Sequence, residues 1–325
     1  MKPKPGRRAS VREARPADRE PAVSRHAIRP PRIWLYIDAI ARYGSIRKAA
    51  EALHIASSAL NRRVLDLEQE LGTSLFDRLA RGVRLTAAGE LYVGYVRRSL
   101  SELVLVASRI EQLRGLVRGR VRVAATESMA GDLLPAAIAR FLQTHPGVEF
   151  QVTIGAPSSL SALLVDDTVD LVLTHVTPEN AEVSVLASRR EAFCALVNRA
   201  HPLAGRAGVR LRECLGYPIA LGDASLAGRA LIDRVLAKSS QRPQARLVSN
   251  SVELMKAFAR MSDAVCFQFR TGGSRDVGSG EMAAIPLTDA PFQSAQLILA
   301  ARTGRVLPVA AAAFAEEVRV LLAET

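Results

Sequence analysis

Sulfur is nearly absent from this chain. Its 325 residues include three cysteines, Cys194, Cys214 and Cys266, and none belongs to a CxxC pair or to a Cys/His cluster with metal-ligand spacing. A disulfide scaffold and a metal site are excluded; buried free thiols are the plain reading, and a redox pair between two of them is unsupported. No apolar run reaches the ~18–20 residues of a membrane span. The N-terminus is basic but lacks the apolar stretch of a secretory signal. A cytoplasmic protein without membrane contact is therefore expected. Also missing are a P-loop, a GxGxxG fingerprint and a GxSxG elbow, so no catalytic residue, cofactor or metal is expected.

What is present fits two or three globular domains, at ~100–200 residues each. The formal charge of +12 is unevenly spread: residues 1–32 hold ten cationic against three acidic side chains, leaving +3 for residues 33–117 and +2 for the remainder. The excess is mostly a tail. That tail combines Pro, Arg and small residues without apolar periodicity, which cannot repay the entropy of ordering. It is expected to be disordered, either as a basic arm attracting phosphates or as an extension of no consequence.

From Ile33 the pattern becomes helical. Trp34, Ile37, Ile40 and Ala41 recur at helical spacing and Gly44 stops the run. Ser45 can cap a second helix with Ile46, Ala49, Ala50 and Leu53 inward. After a His54-Ile55 turn a third helix places Ala59, Leu60, Val64, Leu67 and Leu71 on its apolar face and ends at Gly72. Its other face carries Ser57, Ser58, Asn61, Arg62 and Arg63. Two helices joined by a tight turn, with alanines where they cross and a polar face on the second, make a helix-turn-helix whose second helix fits the ~12 Å major groove of double-stranded DNA. The alternative is three solvated helices that touch no DNA.

The succession from Gly44-Ser45 through Ala49-Ala50, Leu67-Glu68, Leu71-Gly72, Leu75-Phe76, Arg78 and Leu85-Thr86 to Gly89 resembles the winged helix-turn-helix of LysR-type transcriptional regulators. One departure matters. Ala56-Ser57 stands where that family usually has Ser-Gln, and alanine is a poor N-cap, so the helix is expected to start one residue later with Ser57 as its cap. "LFDRLARGVRLT" reads as two strands around an Arg81-Gly82 turn, the wing, with Arg78, Arg81 and Arg84 suited to phosphate or minor-groove contact. With Ser45 and Arg47 from the second helix, these residues and the polar face of the third form the expected DNA-binding set.

Beyond Gly89 the sequence repeats at 3.5 residues: Tyr92, Val96, Ser99, Leu103, Val106, Ile110, Leu113, Val117, apolar except at Ser99. Such a seam argues for a helix pairing with its twin; the alternative is a helix lying on its own domain. The resemblance favours pairing, because LysR-type regulators dimerise through a linker helix here, and it implies a homodimer or homotetramer.

From Gly119 strands and helices alternate: "VRVAAT", a helix with Leu133, Leu134, Ile138, Phe141 and Leu142 inward, "VEFQVTIG" and "DLVLTH". The βαβ succession predicts a mainly parallel α/β sheet that binds ligands beyond its carboxyl strand ends. Those ends carry Thr126, Glu127, Ser128 and Met129; Ser158 and Ser159; and Thr174 and His175. The serines read equally as ligand donors or as helix caps, and His175 alone reads more readily as a satisfied polar side chain.

"HPLAG" at 201–205 and "SNSVELMKAFARM" at 249–261 extend the resemblance to the family's effector domain, which resembles periplasmic binding proteins: two α/β subdomains around a cleft. It implies a tail over 1–32, a winged head over 33–87, a linker helix over 88–117 and an effector domain over 118–325. Within the last, subdomain I covers about 118–187 and 291–325, and subdomain II about 188–290. On that carry-over Asp223, Ser225, Asn250 and Gln268 face the cleft from subdomain II.

The expected function is sequence-specific transcriptional regulation controlled by a small molecule. Hydroxyls and amides at helix starts favour an organic acid; a Glu127 carboxylate pointing into the cleft would instead favour an amine or polyol. An α/β enzyme and a nonspecific DNA-coating protein are the alternatives.

Overall fold

The computed structural model describes residues 29–79, 82–113, 117–237 and 243–324. Most of the basic tail, expected to be disordered, and Arg81 of the wing turn lie outside the described residues.

Three helices, α1 (Arg32–Tyr43), α2 (Ile46–Ala52) and α3 (Ser57–Leu71), share one core around Ile37, Ile40, Ala49, Ala50, Leu60 and Val64. Gly44 ends α1 at φ 58°, in the left-handed region glycine tolerates, and Ser45 Oγ accepts from Lys48 N at 3.4 Å as the cap of α2. The start of α3 differs from expectation. Ala56 holds the cap position without a side-chain bond and Ser57 is already helical. Ala59 and Leu71, expected inward, are exposed, because this small core meets α3 only along the stripe Leu60, Val64 and Leu67.

The wing is an antiparallel hairpin of β1 (Phe76–Leu79) and β2 (Gly82–Leu85). Two glycines let it dock. A Cβ on Gly82 would stand 2.3 Å from the Gly44 carbonyl oxygen, and one on Gly89 would stand 2.0 Å from that of Leu75. The following helix α4 (Ala87–Leu113) leaves the head; Thr86 Oγ1 accepts from Gly89 N at 3.0 Å in its first turn.

Two five-stranded sheets follow. The first contains β3 (Gly119–Ala125), then α5 (Glu127–Ala130), α6 (Leu133–Thr144), β4 (Val148–Ile154), α7 (Pro157–Val165), β5 (Leu171–Thr174) and β6 (Val183–Arg190). The chain then crosses to the second, built from β7 (Phe193–Asn198), α8 (Leu211–Cys214), β8 (Ile219–Gly222), α9 (Ala227–Leu236), β9 (Ala245–Ser249), α10 (Val252–Arg260), β10 (Val265–Phe269), α11 (Ser274–Gly278) and β11 (Met282–Pro286). It returns through β12 (Gln296–Arg302) and ends in α12 (Val309–Glu324).

The strand orders are β4-β3-β5-β12-β6 and β11-β7-β10-β8-β9. Each sheet is mainly parallel with one reversed strand, four strands sharing a direction. β12, entering from the other half, runs antiparallel to β5 and β6, and β7 runs antiparallel to β10 and β11. Because β6 belongs to the first sheet as far as Arg190, the crossing falls at Glu191-Ala192, not at residues 187/188. The return passes Ala295, and Glu191 N donates to the Ala295 carbonyl at 2.9 Å, tying the two crossings into a hinge.

Each sheet has its own apolar core. Phe141, Phe150 and Phe314 meet edge to face under the first, with centroids 4.8–5.8 Å apart. Cys194, Cys214 and Cys266 are free and buried, and burial pushes their thiols up to about 11, 12 and 12, away from thiolate chemistry. Among the described residues no helix is long and apolar enough to cross a membrane.

Candidate functional site

Helix α3 presents Ser57, Ser58, Arg62 and Arg63 to solvent, and neither arginine has a carboxylate partner among the described residues. Asn61 is half-buried and its Oδ1 accepts from Arg78 Nη2 at 2.9 Å, so the side chain expected to read bases also fastens the wing to the helix. Arg84 and Asp77 face each other across the hairpin at 3.3 Å, and Arg47 pairs with Glu51 at 2.7 Å on α2; all four are exposed. Ser45 is occupied as a cap. Two acidic residues that sequence reasoning passed over hold this head together. Glu68 Oε1 accepts from Leu75 N at 2.7 Å and Phe76 N at 3.1 Å, joining α3 to the wing. Asp38, on the buried face of α1, accepts from Arg97 Nε of α4 at 3.0 Å.

The predicted seam of α4 divides. Val96 is 0% exposed within its own chain, Tyr92 packs on the head core and Leu103 is half-buried beside residues of its own chain. Val96 therefore has no surface to offer a partner: a period of 3.5 says that a face is covered, not by what. Val106, Ile110 and Leu113 remain exposed, the last at 88%, as do Leu91 at 77% and Tyr95.

Between the sheets, β3, β4 and β5 end side by side, as parallel neighbours must. From those ends a chain of polar contacts runs inward: Thr126 Oγ1 lies 3.2 Å from Ser128 Oγ, which lies 3.0 Å from His175 Nδ1. The His175 ring lies flat on Phe269 of the other sheet, centroids 3.5 Å apart and planes 2° apart. Burial, and then the nearby Arg189 charge, hold this imidazole well below its ordinary range, so it is neutral. Its Nε2 is buried without a partner.

This stack closes the cleft. The inner cavity beside Thr126, Glu127, Ser128, Ser225 and Gln268 measures only about 20 Å³, room for a water molecule. An outer groove of about 830 Å³ opens beyond it, lined by Ser158, Thr174 and Ser225 and sharing Ser225, Leu226 and Ala227 with the inner cavity. At its walls α7 and α9 begin, with cap residues Ala156 and Leu226 that offer no side-chain bond.

Several expected cleft residues stand elsewhere or are already engaged. Met129 belongs to the first sheet's core and lines neither space. Asn250 is exposed and lines neither; it follows β9, the edge strand of the second sheet. Asp223 is occupied by Ser225, whose hydroxyl and backbone N–H both donate to it and hold its carboxyl below the usual range. Ser159 Oγ donates to the Ala156 carbonyl at 2.9 Å, Thr174 Oγ1 accepts from Val176 N, and Gln268 Oε1 accepts from Phe269 N. None of Ser128, Ser158 and Ser159 occupies a helix cap position. Gly272, which sequence reasoning did not single out, lies behind Gln268 and explains the tight closure: a Cβ there would lie 2.9 Å from the Ser128 carbonyl oxygen.

Two family descriptions match the chain, "Bacterial regulatory helix-turn-helix protein, lysR family" over residues 32–90 and "LysR substrate binding domain" over residues 114–322. The SDS degradation transcriptional activation protein of a Pseudomonas species is 32% identical over 280 residues, spanning 85% of this chain and 90% of that one. The RuBisCO operon transcriptional regulator of Allochromatium vinosum is 32% identical over 204 residues, 63% of this chain and 67% of its own. Among solved structures, a full-length OxyR variant from Pseudomonas aeruginosa superposes with a TM-score of 0.66 at 21% identity, covering 89% of this chain and 94% of that one. Full-length CbnR complexed with its target DNA superposes at 0.57 and 20% identity, covering 89% and 98%.

Proposed function

The chain belongs to the LysR family of bacterial helix-turn-helix transcriptional regulators, and from that premise we propose how its own residues divide the work. It is a DNA-binding regulator with an effector-binding domain. In this reading Ser58, Arg62 and Arg63 of α3 read base edges in the major groove, while Arg78 and Arg84 of the wing grip the backbone. Asn61 positions the wing through Arg78. The observation carrying this reading is the exposed, carboxylate-free pair Arg62 and Arg63 on a helix whose opposite face is locked into the head core.

A good bidentate base contact is worth ~1–3 kcal/mol of discrimination. Arg62→Ala should accordingly lower affinity for the operator more than for random duplex, whereas Arg84→Ala should weaken both nearly equally and flatten the salt dependence. Competition binding with the upstream region of the chain's own gene measures both. Equal losses for Arg62→Ala would assign that arginine to the backbone.

For the effector, a small organic acid in the outer groove agrees best with the site. The first residues of α7 and α9 line this groove, where the positive ends of the two helix dipoles favour an anion, and Ser158 and Ser225 stand beside them. Glu127 lines the inner cavity and not the outer groove, whose one lining carboxylate, Glu179, is exposed to solvent. Calorimetric titration of the whole chain with acids, amines and sugars tests this. Binding of an amine that Glu127→Gln abolishes, with no acid bound, would overturn the acid while leaving the regulator intact.

A further inference from the structure

A groove of about 850 Å³ at the hinge shares no lining residue with either part of the cleft. Four arginines border it: Arg189 and Arg190 at the end of β6, Arg270 just past β10, and Arg275 in α11. Two carboxylates lie among them, and both are occupied. Glu191 Oε1 accepts from Thr271 N at 2.6 Å and from the Thr271 hydroxyl, while its Oε2 faces Arg189 at 3.3 Å. Asp132 Oδ2 accepts from Ser274 Oγ and Arg275 N, each at 3.0 Å.

The cations are not matched in the same way. Among the described residues no carboxylate pairs with the side chains of Arg190, Arg270 or Arg275, and Arg189 Nη1 is buried with no acceptor at all. The adjoining cavity makes the contrast. There Lys256 meets both Glu253 and Asp276 at 2.7 Å, and Arg260 meets Asp276 and Glu281, so every cation at the base of α10 is answered within the chain. The two cavities share Gly131, Asp132 and Arg275, so the unanswered charge lies on the side of Arg189, Arg190, Arg270 and Arg275, away from the paired Lys256 and Arg260. The volume of the hinge groove falls in the range of small-molecule sites, ~300–1,000 Å³, and planar guanidinium forks suit oxyanions.

We infer that the hinge groove is a second ligand site, taking a compact polyanion, a phosphate ester or a polycarboxylate, held between the two subdomains. Arg189 and Arg190 belong to the first sheet, and Arg270 and Arg275 to the second subdomain. An anion bridging them therefore fixes the angle at which the halves meet.

Titration calorimetry on the whole chain, at one fixed ionic strength, decides the matter with pyrophosphate, citrate, acetate and glycerol as probes. Saturable binding of one pyrophosphate or one citrate per chain is expected, with acetate and glycerol inert. Pyrophosphate alone marks a phosphate site, citrate alone a polycarboxylate site. Arg190→Gln and Arg275→Gln, both at exposed positions, should each weaken the bound anion roughly tenfold or more. Arg190→Lys should lose less, and Arg212→Gln, at an exposed position of α8 that lines neither groove, should leave polyanion affinity unchanged. The inference fails if neither polyanion saturates, or if the two Gln variants bind it as the parent does. It fails equally if those variants lose only random-duplex affinity or only oligomer, which would make the arginines a DNA face or a subunit face.

Discussion

His175 shows how a residue's place can be legible while its partner is not. Its position at a strand end was readable from "DLVLTH", but its partner Phe269 lies on another sheet, and no local pattern announces a contact that distant. The stack makes a pH-dependent contribution whose sign follows from the depressed imidazole pKa. Below about pH 6.5 an unfolded histidine takes up a proton, while the buried one does not. The unfolded state then holds more protons, so stability is lost as pH falls from about 6.5 towards the folded-state value. His175→Gln removes the titration and the stack. The parent should melt higher than the variant near pH 7.5, and that gap should narrow by about pH 5.5. A constant gap would show that His175 is free to charge. The same distance barrier hid Asp38 and Glu68, whose roles depend on partners in other elements.

At the scale of elements, legibility follows locality. The helices of the head were readable because an amphipathic helix writes its buried face into its own spacing. The misplacement at Ala56 is a single-residue boundary: Ala56 takes the cap position without a side-chain bond. Helix α4 exposes the limit of periodicity. Its 3.5-residue seam includes Val96, which the chain buries by itself. At 3.6 residues per turn, the exposed apolar residues Leu91, Tyr95, Val106 and Leu113 fall instead along one stripe, with Arg98, Glu102 and Arg109 between them. A twin helix pairing through this stripe predicts that Leu91→Lys and Val106→Lys yield monomers with little change in melting temperature, since each places a charge at the interface alone. Val96→Lys should unfold the head. Sedimentation of the three variants separates the alternatives: intact dimers for both stripe variants would mean that α4 does not pair along it.

Across the whole molecule, the head, the linker helix and the first sheet meet at one side chain. Arg97 donates from Nε to Asp38 of α1 and faces Asp166, at the end of α7, with Nη1 at 3.3 Å. Farther along α4, Ser108 Oγ accepts from Val309 N at the start of α12, a second tie between linker and effector domain. The two carboxylates on Arg97 differ in weight. Asp38 is nearly buried, whereas the Asp166 side chain is about half exposed and screened by solvent. Arg97→Met leaves Asp38 with the exposed Arg42 alone, and the head should lose ~1.5–3 kcal/mol, the range for hydrogen bonds to charged groups. Asp166→Asn weakens only the outer contact and should cost under ~1 kcal/mol. If Arg97 links the domains, however, Asp166→Asn should still speed amide exchange along the first turns of α4 and at the end of α7, while exchange in the core of α3 stays as it was. Unchanged exchange at both sites would reduce Arg97 to a bond internal to the head, and the contacts of α4 with α12 would then have to carry any signal from cleft to DNA.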